Sequence, residues 1–162
     1  MDKGMDFNIE ERVQKARDLH AEGYNCSQAV FLAYSDLFGI DKQFAAVISA
    51  PLGGGIGRLR EVCGSVCAMS LLAGQIVPVY DPADKDVKAR NYALVQEFAN
   101  KFREKNGAIV CRELLGLNKT EQTEEQDFGR ITTKYQRKSC REYVADAARI
   151  VGEKLNQLTI DS

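Results

Sequence analysis

Ile9, Val13, Ala16 and Leu19 recur every three or four residues, the spacing of one helix face. Asn8 stands just before them with Glu11 three residues later, a capping-box pair, and Gly23 follows as a stop. The same pattern repeats at once. Asn25 and Gln28 form a second capping-box pair, and Cys26 takes the first helical position. Ala29, Val30, Leu32, Ala33 and Leu37 supply the apolar face, and Gly39 closes the segment. Asp41 caps a short third helix, KQFAAVISA, which Pro51 helps to end. PLGGGIGRLRE then interrupts the pattern. Four glycines in the five positions 53–57 exclude a stable helix and allow positive φ and close backbone approach. Helical spacing resumes near Arg60 and runs through Cys63, Cys67 and Leu71 towards Val77.

Further along, Asp81 is read as the cap of a long amphipathic helix, with Pro82 at its first position. Val87, Tyr92, Val95, Phe98, Ala99 and Phe102 line one side of it, and Gly107 ends it. AIVCRELLG gives one or two helical turns up to Gly116. Residues 117–137 are polar and mixed and read as a long loop, with the acidic TEEQD at 123–127 as a solvated loop or helix start. Ser139, with Glu142 three residues on, caps the last helix and puts Cys140 at its first position. Tyr143, Val144, Ala147, Ile150, Val151 and Leu155 form its buried stripe. No stretch alternates as a strand does. The expectation is an all-α fold: a small bundle of about six helices, with a Gly-rich loop before the central helix.

Composition narrows the function classes. The 162 residues suit a single domain over 1–162, with 44% apolar and 28% charged residues. A net charge of −1 without a clustered basic excess argues against nucleic acid as a partner. The longest apolar run, Val66 to Val79, is broken by Ser70, Gly74, Gln75 and Pro78. It falls short of the roughly 18–20 residues of a membrane helix. The N-terminal MDKGMDFNIEER has no apolar signal-peptide core, so the expected location is cytoplasmic and off the membrane.

Five cysteines in such a chain need an account. Thiols are mostly kept reduced in the cytosol, so a disulfide framework is not expected, and burial as small apolar residues is the plainest reading. Position argues for more. Cys26 and Cys140 each follow a strong N-cap, and Cys111 lies near the start of a helical turn. Free N–H groups and the helix dipole favour a thiolate there, so lowered pKa values are expected. Cys63 follows the Gly-rich loop, and Gly64 beside it lets another backbone or an inorganic group come close; tight helix packing is the alternative.

The landmarks YNCSQAV, GGGIGRLREVCGSV, CRELLG and SCREYVADAA, in that order, resemble the redox-active proteins named for the pattern C-GCAxxG-C-C. The resemblance spans residues 10–155 and implies that Cys26, Cys63, Cys111 and Cys140 are the four family positions. The family's Cys-Gly-Ala-x-x-Gly reads here Cys63-Gly64-Ser65-Val66-Cys67-Ala68. Serine replaces the alanine, and Ala68 adds a methyl where the family has glycine. Cys67 falls on a variable position, one helical turn from Cys63. Its plain reading is packing, with a resolving thiol or substitute ligand as the alternative.

Two chemistries use this set. In the first, Cys26, Cys63, Cys111 and Cys140 ligate an iron–sulfur cluster, [2Fe–2S] ahead of [4Fe–4S], for electron transfer with an unknown donor or acceptor. Gly55 and Gly57 of the loop, and Gly64, would bring backbone close to it. Structural zinc uses the same ligands and ranks lower. Spacings of 37, 48 and 29 residues include no close Cys-x-x-Cys pair, unlike familiar cluster motifs. In the second, the same thiols carry out metal-free thiol–disulfide exchange, with no cofactor. A third reading is a non-catalytic helical module that binds a protein partner. Whether the chain is an enzyme stays open, because no general base or substrate pocket can be assigned. Exposed helix faces leave room for a homodimer. His20 reads as a surface or capping residue, with support of a cysteine site as the alternative; Arg58, Arg60 and Glu61 read as solvated loop charges, with tuning of Cys63 or anion binding as the alternative; Tyr24 reads as a packing contact. The glycine loop lacks the Gly-Lys-Ser/Thr ending of a phosphate loop.

Overall fold

The structure, a computed structural model, describes residues 6–117 and 138–161. The expected loop over 117–137, except Leu117, lies outside the described residues. Among the described residues seven helices are present: α1 (Ile9–Glu22), α2 (Cys26–Tyr34), α3 (Lys42–Ser49), α4 (Gly64–Ile76), α5 (Lys85–Asn106), the single-turn α6 (Cys111–Leu115) and α7 (Cys140–Asp161). Short 3-10 turns at Ser35–Phe38 and Ala50–Leu52 extend α2 and α3. Among the described residues there is no strand, only one antiparallel bridge between Val62 and Val110. The all-α expectation holds.

The caps work as the residue types dictate. Asn8 Oδ1 accepts from Glu11 N at 3.0 Å, and Gly23 ends α1 with φ 115°. Asn25 and Gln28 close a reciprocal capping box: Gln28 N donates to Asn25 Oδ1 at 3.0 Å and Asn25 N to Gln28 Oε1 at 3.1 Å. The two side chains also bind outward. Asn25 Nδ2 donates to Ala50 O at 2.8 Å and Gln28 Nε2 to Ala46 O at 2.9 Å, which pins the end of α3 to the start of α2.

Helix α2 is the most enclosed element: Ser27 and every residue from Ala29 to Tyr34 are buried. It packs on α4 to one side and on α1 and α7 to the other, while α5 lies along α4. A helix that is apolar nearly all round has to sit in the middle of a bundle. Tyr34 carries a polar group into this core and satisfies it, its hydroxyl donating to Ala148 O of α7 at 2.6 Å. On the outside, the exposed Glu10 pairs with Arg149 and so joins α1 to α7.

Two helix starts differ from expectation. Helix α5 is capped by Asp84, whose carboxylate accepts from Val87 N at 3.0 Å, and not by Asp81. Asp81 instead folds the preceding turn, its side chain accepting from Ala83 N at 2.9 Å. Helix α4 starts at Gly64, not near Arg60. Arg60 has φ 62°, and the next residues run extended to form the bridge. Cys63 N donates to Ile109 O at 2.8 Å, Cys111 N to Glu61 O at 2.6 Å and Arg112 N to Arg60 O at 3.2 Å. This short strap ties the start of α4 to the start of α6.

The glycine loop takes an unusual form. Gly54, Gly55, Ile56, Gly57 and Arg58 all have positive φ, between 55° and 70°. The segment coils in the left-handed sense, the conformation L side chains resist. Its N–H groups still find partners: Gly57 donates to Pro51 O at 2.8 Å, Arg60 to Gly54 O at 3.2 Å and Glu61 to Gly55 O at 3.0 Å.

Candidate functional site

Four of the five cysteines meet at one place. Cys26, Cys63, Cys111 and Cys140 line a single cavity of about 460 Å³, and Cys67 is not among its lining residues. Each of the four stands at a helix start: Cys26, Cys111 and Cys140 are the first residues of α2, α6 and α7, and Cys63 is the N-cap of α4. No disulfide joins any of the five. The elements that gather them are those just described: the Asn25 capping box, the left-handed turn and the strap.

The thiols sit in tight backbone surroundings. A Cβ added at Gly64 would lie 2.5 Å from Cys26 Sγ, so α4 reaches α2 only because residue 64 has no side chain. Backbone N–H groups of Gly54, Ser27 and Gly64 lie near the Cys26 thiol, and those of Ser65 and Val66 near Cys63, where they favour the charged form. Gly55 lies against Cys111. It is buried behind the cavity wall, where an added Cβ would meet Cys111 Cβ at 2.6 Å, while Gly53, Gly54 and Gly57 line the space. Cys140 packs with Cys111, Leu115 and Leu117.

Arg60 departs from its default reading and takes the alternative, a charge beside a cysteine. Taken as a solvated loop charge, it is 3% exposed, and its Nη1 donates to Cys111 Sγ at 3.7 Å. A guanidinium held indoors beside a sulfur favours the thiolate there. The signal available in the sequence was only its place between a glycine loop and a cysteine. His20 and Tyr24 also line the cavity. His20 Nδ1 accepts from Arg141 Nε at 3.4 Å, and Lys42 Nζ lies 5.9 Å from the centre of the Tyr24 ring.

At Cys26 the acidity runs opposite to the sequence expectation. Burial pushes Cys26 up, and the N–H groups around it recover only part of the shift. Burial also raises Cys63 well above its ordinary value, and the neighbouring Cys26 adds to this. Cys111 is raised by burial against the pull of Arg60. Cys67, half-buried with its thiol donating to Val62 O at 3.7 Å, is pushed up to about 11. A helix start lowers a thiol pKa only where lost hydration does not outweigh it; here desolvation wins, even at Cys111 beside Arg60.

Among the described residues, no three His, Cys, Asp or Glu side chains come together closely enough to hold a single metal ion. The four thiols instead surround a space. Their chemistry fits a larger thiolate-bound group of net negative charge: four sulfur donors, backbone N–H groups near two of them, and Arg60 at a third. Helices long and apolar enough to cross a membrane are absent among the described residues.

No curated protein and no solved structure matches the chain. A protein-family model described as "Putative redox-active protein (C_GCAxxG_C_C)" matches residues 24–154, which contain all four cavity cysteines and the glycine turn. By that match over most of its length, the chain belongs to the C_GCAxxG_C_C family of redox-active proteins.

Proposed function

We propose that this redox-active protein holds an iron–sulfur cluster through Cys26, Cys63, Cys111 and Cys140 and serves in electron transfer. The observation that carries the reading is the meeting of four cysteines, far apart in sequence, around one cavity. When bound, such a group supplies one-electron chemistry at a potential set by its surroundings. The chain's own residues account for those surroundings. Gly54, Ser27 and Gly64 place N–H groups near Cys26, and Ser65 and Val66 place theirs near Cys63. Arg60 offsets negative charge at Cys111. Leu114, Leu115 and Tyr143 also line the cavity.

Metal-free exchange is supported less well. An attacking thiol needs thiolate character near neutral pH with no metal to displace its proton, and burial raises Cys26, Cys63 and Cys111. The test is iron content after anaerobic purification of single serine variants. Cys26→Ser, Cys63→Ser, Cys111→Ser and Cys140→Ser should each lose most of the iron, and Cys67→Ser should keep it. Iron retained in all four of the first group would overturn the ligand assignment.

A further inference from the structure

Each cavity cysteine stands where a helix begins, and helix ends fray unless something ties them down. Three of the four ties are already described. The Asn25 capping box holds the start at Cys26, and the strap holds the starts at Cys63 and Cys111. The start of α7, at Cys140, is tied differently. Ser139 Oγ accepts from Glu142 N at 3.4 Å, a longer cap than the 3.0 Å of Asn25 and Gln28. The Glu142 side chain turns away from the cap and accepts from Arg17 of α1 at 3.3 Å.

A stronger tie comes from Lys138, two residues before Cys140. Its N–H donates to Tyr143 Oη at 3.4 Å, and its Nζ donates to Asp146 Oδ2 at 2.7 Å. Tyr143 and Asp146 are three residues apart on α7 and share a face. Lys138 is therefore folded back along the first two turns of the helix it precedes. Asp146 is only 9% exposed, and a carboxylate held indoors needs cations beside it. Lys105 Nζ, near the end of α5, is the second, 3.2 Å from Oδ1. The Tyr143 hydroxyl carries the tie further by donating to Leu114 O of α6 at 3.4 Å. Cys111 opens α6, and Cys140 packs against it and Leu115.

We propose that Asp146, acting through Lys138, is the positioning residue that fixes Cys140 at the cavity. The proposal rests on Cys140 being one of the four site thiols, and not on what those thiols hold. The two lysines then differ in consequence. Loss of the Lys138 ammonium frees the backbone that leads into Cys140, whereas loss of the Lys105 ammonium leaves that backbone latched. Both lysine side chains are partly exposed, and either replacement leaves Asp146 one cation, so neither should unfold the chain.

The test is the rate at which iodoacetamide alkylates each cysteine of the folded, metal-free, reduced protein, followed by peptide mass spectrometry. Lys138→Met should speed modification of Cys140 by about fivefold or more, with Cys26, Cys63 and Cys111 within about twofold of wild type. Lys105→Met should keep the wild-type rate at Cys140. Lys138→Arg, which keeps a charged donor, should restore it. Should Lys138→Met lose helical circular dichroism, Lys138→Gln takes its place with the same expected result. An unchanged Cys140 rate in the folded Lys138 variant overturns the proposal. So does an equal rise at all four cysteines, or the same rise in Lys105→Met, because either would mark general loosening of the fold. Iron content after anaerobic purification is read separately, and Lys138→Met should hold less than wild type. A wild type without iron would strike the cluster reading alone, since the alkylation rates still decide the latch.

Discussion

A methyl group at Gly64 would lie 2.5 Å from Cys26 Sγ and 2.9 Å from the Leu52 carbonyl oxygen, so Gly64→Ala has to push α4 away from α2. The expected cost is about 1–3 kcal/mol of stability with a marked loss of bound iron, read by thermal unfolding and metal analysis. Its neighbour predicts the opposite sign. Ser65 is fully buried and its hydroxyl has no hydrogen-bond partner among the described residues, where the family has alanine. Ser65→Ala should therefore stabilise the protein by about 1 kcal/mol or more, a rise of several degrees in melting temperature. The thiols add a pH dependence. A raised pKa means the folded chain holds the proton more tightly than the unfolded one, so the benefit is complete below the ordinary thiol value of 9.0. It is lost as pH climbs through the folded value, about 11 for Cys67. The metal-free, reduced protein should accordingly lose melting temperature as pH rises from 9 towards 11. Cys67→Ser should flatten part of that fall. The helix-start places of Cys26 and Cys140 were legible in sequence because Asn25 and Ser139 announce them. The direction of the Cys26 acidity shift was not, because burial belongs to the packed chain and not to local spacing.

Among the elements, the left-handed turn is where sequence and strain meet. Its glycines were legible as a break in the helix pattern, but Ile56 and Arg58, also at positive φ, were not. Each such L residue costs about 1–2 kcal/mol. Ile56 is 39% exposed and adds little core packing, so Ile56→Gly should relieve more strain than the roughly 0.5–1 kcal/mol it loses to chain entropy. The expected outcome is unchanged or slightly higher stability in denaturant titration, with iron binding intact. A fall of several kcal/mol would mean that Ile56 holds the turn by contacts and not against its own preference. The strap between Val62 and Val110 escaped the sequence reading for another reason. One bridged pair has no alternation to read, yet it brings Cys63 and Cys111 together through Cys63 N to Ile109 O and Cys111 N to Glu61 O. The misplaced starts of α4 and α5 follow from the same limit: Arg60 and Asp81 each looked like helix openings and instead shape the turns before them.

At the scale of the molecule, α1, α2 and α7 build a core from the apolar stripes that the spacing predicted, and α4 and α5 close it on the other side. The rigid part of the bundle thus carries Cys26 and Cys140, and the loop, strap and single turn bring Cys63 and Cys111 to meet them. The membership of the site was legible through the family motifs; its cavity and the indoor Arg60 were not, since both arise from segments far apart in the chain, Arg60 lying 51 residues from Cys111, in no periodic pattern. The central claim is that this cavity holds iron and sulfide on four thiolates. Its most direct test is the visible absorption of anaerobically purified protein, with iron and acid-labile sulfide counted per chain. Broad absorption with iron and sulfide in equal, stoichiometric amounts is the predicted result. A colourless protein that binds neither, even after reconstitution with iron and sulfide under reductant, would contradict it and leave thiol–disulfide exchange among the same cysteines.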